Sequence, residues 1–240
     1  MFLIEDRLSD SPLVERVWTA QSERAGHFLS VASESSEIVV TRYRGQTFFT
    51  IRGPETKATT ADYPADGDWV GIRFKAGAFL PEFAPATVRD RKDVNLPGAT
   101  KRTFWLDGSA WEYPTFENAD AFVARLVKKG MLVRDRTVDA MMRGEQQLLS
   151  HRSTQRHFAR ATGLTHATYR KIKRARFAAN LLLEGVPILD VVHLAGYCDQ
   201  SHLTRSLKVL VGQTPAEIRL GKVQLSYLYK TELSPRGTRR

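Results

Sequence analysis

A group of hydrogen-bonding and basic side chains is spaced at helical intervals near the C-terminal end of the chain. The group comprises Gln200, Ser201, Thr204, Arg205 and Lys208. Spacings of three and four residues place such side chains on one face of an α-helix. In the major groove of duplex DNA, a glutamine amide suits an adenine edge, and an arginine guanidinium suits a guanine edge or a phosphate. The pattern therefore predicts a helix face that contacts DNA.

The segments around this face predict a helix, a turn and a second helix. Residues 188–195 form a short apolar pattern, Gly196 supplies a flexible turn, and Asp199 can cap a helix that continues to Val211. Leucines at spacings of four and three residues would face the core: Leu203, Leu207 and Leu210. The polar face would then lie opposite the buried leucine stripe.

A second copy of this plan lies 49 residues earlier in the chain. Identical residues align at Arg156 and Arg205, Gly163 and Gly212, Thr165 and Thr214, Ala167 and Ala216, and Arg170 and Arg219. In both copies a helix ends at a glycine and a threonine follows that can cap the next helix. The repeat therefore predicts two helix-turn-helix units.

In the first copy the helix is predicted to begin near Ser150 or His151. The side chains available for packing are Leu148, Leu149, Phe158 and Ala161, and those available outside are Arg152, Gln155, Arg156 and Arg160. Residues 167–184 would form a linker helix of about 27 Å at 1.5 Å per residue. Such a linker could hold two recognition helices near one DNA turn apart, ~34 Å, in adjacent major grooves.

The first hundred residues show short β-branched and alternating runs that indicate antiparallel strands. Residues 38–43 and 47–51 flank Arg44-Gly45-Gln46 as a hairpin. Residues 69–74 predict a strand with Val70, Ile72 and Phe74 on one face and Arg73 on the other. We expect a small β-barrel or sandwich, followed by a helix with a stripe of Phe122, Val123, Leu126 and Val127 that ends at Gly130. That helix could pair with a second copy in a homodimer or pack on its own barrel.

Positive charge is concentrated in the C-terminal part of the chain. Residues 1–130 contain 17 Lys and Arg against 18 Asp and Glu, a net charge of −1, and residues 131–240 contain 19 against 8, a net charge of +11. A strongly basic half favours a polyanion, because neutralised phosphates release condensed counterions. The alternative is a solvated basic surface that keeps the protein soluble.

The second copy resembles the signature of the AraC/XylS transcription regulators. Its matching features are Gly196-Tyr197, Asp199, Leu203-Thr-Arg205-Ser-Leu207 and Gly212-Gln-Thr-Pro215, with Leu207 in place of the usual phenylalanine. The resemblance extends from about residue 134 to 221, with Leu148 where the family often has a turn glycine. It implies base contacts from Arg152, Gln155 and Arg156, and from Gln200, Ser201, Thr204 and Arg205.

The resemblance also implies the organisation and role of the whole chain. We expect an α+β protein with a β-rich, cupin-like sensor domain (1–133), a double helix-turn-helix domain (134–221) and a partly disordered tail (222–240). The expected function is that of a bacterial, sequence-specific regulator on double-stranded DNA, modulated by a small-molecule effector or a protein partner. The stretch from Trp69 to Phe79 is the part of the N-terminal region that most resembles such sensors.

Other chemistry finds little support in the residues. Trp69, Phe74, Trp105 and Trp111 could line an effector pocket, although core packing is the better explanation for most of these aromatics. His27 is the only histidine before residue 151 and Cys198 the only cysteine, so we expect no metal, no cofactor and no catalytic residues. The absence of a long apolar run and of a signal sequence predicts a cytoplasmic protein. The rival hypotheses are a β-barrel enzyme and a protein-interaction module with a vestigial DNA-binding domain.

Overall fold

The computed structural model describes residues 2–91, 94–98, 100–143, 145 and 150–221. The chain folds into two compact units, each built from several segments. The first contains the described residues within 1–26, 33–55 and 63–168, and the second contains those within 27–32, 56–62 and 169–240. The predicted domain boundary between residues 133 and 134 stays a prediction. The predicted disorder of the tail, 222–240, lies outside the described residues.

Most strands belong to the first unit and pair in antiparallel fashion. Their bounds are β1 (Phe2–Leu8), β2 (Val14–Ser22), β3 (Gly26–Ser30), β4 (Glu37–Tyr43), β5 (Gln46–Arg52), β6 (Thr59–Tyr63), β7 (Gly67–Phe74), β8 (Ala78–Phe79), β9 (Val94–Leu96), β10 (Thr103–Leu106), β11 (Ser109–Glu112) and β12 (Val133–Arg134). A six-stranded sheet has the order β1-β2-β7-β4-β5-β9, and the pairs β10–β11, β8–β12 and β3–β6 form smaller sheets.

The six-stranded sheet is open, so the predicted barrel is wrong for the described part of the chain. Its edges are β1 and β9, and neither edge pairs with the other. A barrel needs a continuous ladder between its first and last strands, and β9 contributes only three residues. The β-rich character of the region is confirmed, whereas its cupin-like identity stays a prediction.

The hairpin of β4 and β5 confirms the prediction for residues 38–51. Tyr43 pairs with Gln46 across a two-residue turn. Arg44 and Gly45 in that turn have φ angles of 49° and 72°. Positive φ at both central positions gives a turn whose twist matches the flanking strands.

One face of the sheet packs on the β10–β11 hairpin and on helix α2 (Ala119–Lys128). The Phe49 and Phe104 rings stack at 3.9 Å, and Phe122 of α2 meets both rings. Val127, expected in the buried stripe of this helix, is 41% exposed. Four aligned positions on a short helix exceed what one packing face covers, so the last side chain reaches solvent.

Helix α2 is joined to the edge strand β1 by an ion pair. Arg7 donates to the Asp120 carboxylate at 2.6 Å and to the Phe116 carbonyl at 2.8 Å, and the Ser9 hydroxyl also donates to Asp120. Burial raises the pKa of Asp120, but the hydrogen bonds from Ser9 and Arg7 outweigh it, so the pKa lies below the usual value for aspartate.

Of the remaining helices, α1 lies between β8 and β9, and the others follow the last strand, β12. Their bounds are α1 (Pro85–Val88), α3 (Arg136–Met142), α4 (His151–Thr162), α5 (His166–Leu183), α6 (Ile188–Leu194), α7 (Gln200–Leu210) and α8 (Pro215–Leu220). A β-rich region followed by a helical region agrees with the predicted α+β organisation. Among the described residues, no helix combines the length and apolar character needed to cross a bilayer.

Candidate DNA-binding surface

Helix α7 forms where the cap and the leucine pattern predict it. The Asp199 carboxylate accepts a hydrogen bond from the backbone N–H of His202 at 2.6 Å, which satisfies a donor that the first turn leaves free. Leu203, Leu207 and Leu210 are buried. The predicted cap and core stripe of this helix are confirmed.

The opposite face of α7 presents the predicted polar side chains to solvent. Gln200, Ser201, Arg205 and Lys208 are exposed, and Thr204 is half-buried. The face therefore brings an amide, hydroxyls, a guanidinium and an ammonium together on one helix, beginning at its N-terminal end. These groups match the donor and acceptor patterns of base edges and phosphates. Their contacts with DNA stay a prediction.

Helix α6 and the turn after it lead into α7, in the order predicted for the second helix-turn-helix unit. Gly196 has a φ of 66°, and Tyr197 after it is buried. Arg174 of α5 lies 4.4 Å from the centre of the Tyr197 ring and donates to the Gly196 carbonyl at 3.3 Å. The Tyr197 hydroxyl lies 3.0 Å from the Ser206 hydroxyl of α7. Arg174 thus ties the linker helix to the turn, a role that the sequence did not predict.

Helix α4 in the first unit repeats the arrangement of α7. The helix begins at His151, near the predicted start, and Ser150 caps it by accepting from the Ser153 N–H at 3.3 Å. Phe158 and Ala161 are buried, whereas Leu148 and Leu149 lie outside the described residues. The exposed face carries the four predicted side chains: Arg152, Gln155, Arg156 and Arg160. Helix α3 packs on α4 within this unit.

The 49-residue repeat has a clear structural counterpart. Helices α4 and α7 are each followed by a glycine with positive φ, at 70° for Gly163 and 85° for Gly212. Thr165 then accepts from the Thr168 N–H, and Thr214 accepts from the Glu217 N–H. Thr214 and Glu217 form a reciprocal capping box. The predicted linker helix is confirmed as α5, whose 18 residues extend about 27 Å.

Residues 150–221 carry the charge expected of a phosphate-binding surface. They contain eleven Lys and Arg against four Asp and Glu, a net charge of +7. The exposed basic side chains of α4 and α7 are part of this excess. Favourable association with DNA follows from such a charge without any base contact.

The four aromatic residues predicted to line an effector pocket have different environments. Phe74 and Trp111 belong to the core cluster, and Trp105 is 47% exposed. Trp69 meets the Tyr63 ring edge-on at 6.4 Å. A cavity of about 200 Å³ in the first unit is lined by other residues, among them Leu80, Leu106 and Met131. An effector role for the four aromatics stays a prediction.

The described residues contain no cluster of three or more histidine, cysteine or acidic side chains that could hold a metal ion. Cys198 is exposed in the turn before α7. The aromatic and β-branched pattern at residues 223–229 lies outside the described part of the chain.

Comparison with known proteins places the helical region in a family. Residues 147–221 match the family described as "Helix-turn-helix domain". The chain is 34% identical over 79 residues to the HTH-type transcriptional regulator RipA of Corynebacterium glutamicum. This match covers 33% of this chain and 24% of that protein. It is 37% identical over 68 residues to RipA of Corynebacterium diphtheriae, covering 28% of this chain and 20% of the relative. The matches thus span about a quarter of these relatives. No solved structure matches the chain.

Proposed function

Residues 147–221 make this chain a member of the AraC family of helix-turn-helix transcription regulators, and from that premise we propose that it binds specific duplex DNA sequences with α4 and α7. Each of these two helices would enter a major groove and contact base edges from its exposed face. The linker helix α5 would connect the two contacts within one chain.

The observation that carries the proposal is the amphipathic arrangement of α7. Three leucines anchor one side of the helix in the unit, and Gln200 and Arg205 project from the other. Base contacts require polar side chains on a rigid element, because loosely held groups lose selectivity between correct and wrong bases. The hydrogen-bonded cap and the buried stripe supply that rigidity.

Helix α4 supports the proposal through the same features in the first copy. Its exposed Arg152, Gln155 and Arg156 repeat the combination of guanidinium and amide groups. Two such helices would contact more base pairs than one, and a longer site raises the selectivity over random DNA.

We also propose that the β-rich region modulates DNA binding in response to a small molecule, a protein partner or a second copy of the chain. Its support is the size of this region, which lies outside the matched family domain and has its own aromatic core. A region of that extent is not needed to fold a helix-turn-helix domain of 75 residues.

Selection of bound fragments from a random duplex library tests the proposed function. An enriched motif is the expected result, and its length shows whether one helix or both contact bases. If repeated rounds enrich no sequence, the proposal of specific binding is wrong and an interaction module becomes the better hypothesis.

Substitutions on α7 then test direct base contact. Gln200→Ala and Arg205→Ala should each weaken binding to the selected duplex about 5- to 150-fold, corresponding to about 1–3 kcal/mol, and weaken random duplex much less. Arg219→Ala is the control, because it removes the same charge from the exposed side of α8. It should leave the ratio between selected and random DNA unchanged. Equal losses on both duplexes in Arg205→Ala would contradict base contact.

A further inference from the structure

The C-terminal end of α4 lies against a segment from the N-terminal half of the chain. A Cβ atom added to Gly163 would lie 2.7 Å from the carbonyl carbon and oxygen of Pro85, and 3.0 Å from the Ala86 nitrogen. The Arg89 guanidinium donates to the Gly163 carbonyl at 3.0 Å. The backbones therefore approach as closely as only a glycine allows.

The C-terminal end of α7 has a corresponding partner within the second unit. The last four carbonyls of a helix lack intrahelical partners. Here the Ala32 N–H donates to the Leu210 carbonyl at 2.8 Å, and the Ala58 N–H donates to the Val209 carbonyl at 2.9 Å. A Cβ on Gly212 would lie 3.2 Å from Ala58 and 3.3 Å from the Leu29 side chain. Two segments that flank the β3–β6 pair thus hold the end of this helix.

The two arrangements share one position of the repeat. Gly163 and Gly212 are aligned at the 49-residue offset, and each ends one of the two helices that carry the exposed polar faces. The segments that hold them, residues 85–89 for α4 and residues 29–32 and 58 for α7, lie outside the matched family domain, 147–221. Each contact lies within its own compact unit.

We infer that the β-rich region is the positioning element of both recognition helices, and that it holds each by its C-terminal end through a repeat glycine. The role of α4 and α7 as recognition helices rests on the proposed function. The bracing of their C-terminal ends is a property of the protein without DNA. Base contacts tolerate displacements of about 0.5 Å, so a helix freed at one end loses selectivity. Contacts to phosphates depend mainly on charge and tolerate more movement.

The chain supplies glycines that match these two in backbone conformation but have no neighbour. Gly130 has the same φ as Gly163, 70°, and Gly185 has a φ of 86°, close to the 85° of Gly212. Gly130 and Gly185 are the controls, because a Cβ atom added to either would meet nothing within 4 Å. Alanine at all four positions imposes similar backbone strain. Any additional effect at Gly163 or Gly212 therefore measures the close contact.

Amide hydrogen exchange of the full chain tests the inference without DNA. Gly163→Ala should accelerate exchange in α4 about tenfold more than Gly130→Ala accelerates it in α2, because the Pro85 backbone cannot move aside easily. Gly212→Ala should accelerate exchange at Val211 and Leu210 about threefold more than Gly185→Ala accelerates it at the end of α5. The expected factor is smaller than for Gly163→Ala because the Leu29 side chain can adjust. Equal effects within each matched pair would overturn the inference.

Milder variants cover the case in which Gly163→Ala does not fold. Arg89→Ala removes one hydrogen bond to the Gly163 carbonyl and should accelerate exchange at the end of α4 about fivefold, and Arg89→Lys should restore part of the loss. Ala58→Pro removes the donor to Val209, whereas Ala58→Gly keeps it. Acceleration in α7 with Ala58→Pro but not with Ala58→Gly supports the brace, and equal acceleration by the two contradicts it.

The DNA measurement separates the inference from the proposed function. If selection yields a motif, Arg89→Ala and Ala58→Pro should lower the affinity for the selected duplex about fivefold more than the affinity for random duplex. An equal loss on both would show that the brace does not position the base-contacting faces. If no motif is enriched, the proposed function fails, and the exchange experiments still decide whether the brace exists.

Discussion

Arg174 is the residue whose side chain contacts the turn between α6 and α7. Its guanidinium covers the Tyr197 ring and donates to the Gly196 carbonyl. Stacking on a partly desolvated ring and a charge-assisted hydrogen bond together suggest a contribution of about 1–2 kcal/mol. Arg174→Ala should lower the free energy of unfolding by that amount, and Arg174→Lys by about half, because an ammonium cannot stack as a plane.

Urea denaturation monitored by circular dichroism measures this effect. Lys171→Ala, on the exposed side of the same helix, is the matched control and should change the free energy of unfolding by less than about 0.5 kcal/mol. If Arg174→Ala is no more destabilising than Lys171→Ala, the contact with the turn is not stabilising.

The exposure of polar residues follows the sequence pattern more closely in helices α4 and α7 than in strand β7. The polar positions of α4 and α7 reach solvent because a helix on a surface has one outer side. Arg73 alternates with buried residues of β7, yet it is 3% exposed and donates to the Ser33 hydroxyl at 2.5 Å. A central strand can be covered on both faces, and only the distant segments that cover it decide this.

Asp199 is the cap on which the start of α7 depends. Its carboxylate accepts a hydrogen bond from the His202 N–H, and its negative charge interacts favourably with the positive end of the helix dipole. Asp199→Ala should lower the free energy of unfolding by about 0.5–2 kcal/mol, and Asp199→Asn should lose only a small part of this, because asparagine caps nearly as well. Thermal denaturation of the full chain measures the difference.

The same pair of variants links the cap to DNA binding. The first turn of α7 carries Gln200 and Ser201. Fraying of this turn in Asp199→Ala should therefore lower the affinity for the selected duplex, whereas Asp199→Asn should keep that affinity. A similar loss in both variants would indicate that the cap is not the reason why Asp199 affects DNA binding.

The elements themselves were predictable where local signals specify them. The cap at Asp199, the glycine after α4 and after α7, and the hairpin turn after Tyr43 are short-range features, and the structure confirms all three. The openness of the sheet was not predictable, because alternation along a strand does not state which strand lies beside it. The edge strand β9 has only three residues, too few for a sequence pattern to show which strand lies beside it.

In the whole molecule, the boundary between sequence patterns differs from the boundary between the two compact units. A change of hydrophobic period separates the β-rich half from the helical half. The second unit nevertheless contains residues 27–32 and 56–62 together with the C-terminal helices. Ala32 and Leu210 are 178 residues apart, and their hydrogen bond joins backbone groups, which any residue except proline could supply. Side-chain patterns therefore carry no signal for it.

The salt dependence of DNA binding tests the proposal that α4 and α7 bind one duplex simultaneously. Each phosphate that a basic side chain neutralises contributes about −0.9 to the slope of log K against log salt concentration. The exposed basic residues of α4 and α7 are Arg152, Arg156, Arg160, Arg205 and Lys208. If all five lie at the phosphates, the slope for random duplex should be about −4 to −5.

Single and double variants assign this slope to the two helices. Arg160→Ala on α4 and Lys208→Ala on α7 should each reduce its magnitude by about 0.9, and the double variant by about 1.8, because each removes one neutralised phosphate. Lys128→Ala, an exposed lysine of α2, should leave the slope unchanged. If Arg160→Ala also leaves it unchanged while Lys208→Ala reduces it, only α7 contacts the DNA and the two-helix arrangement is wrong. Fluorescence anisotropy of a labelled duplex across a range of salt concentrations provides the measurement.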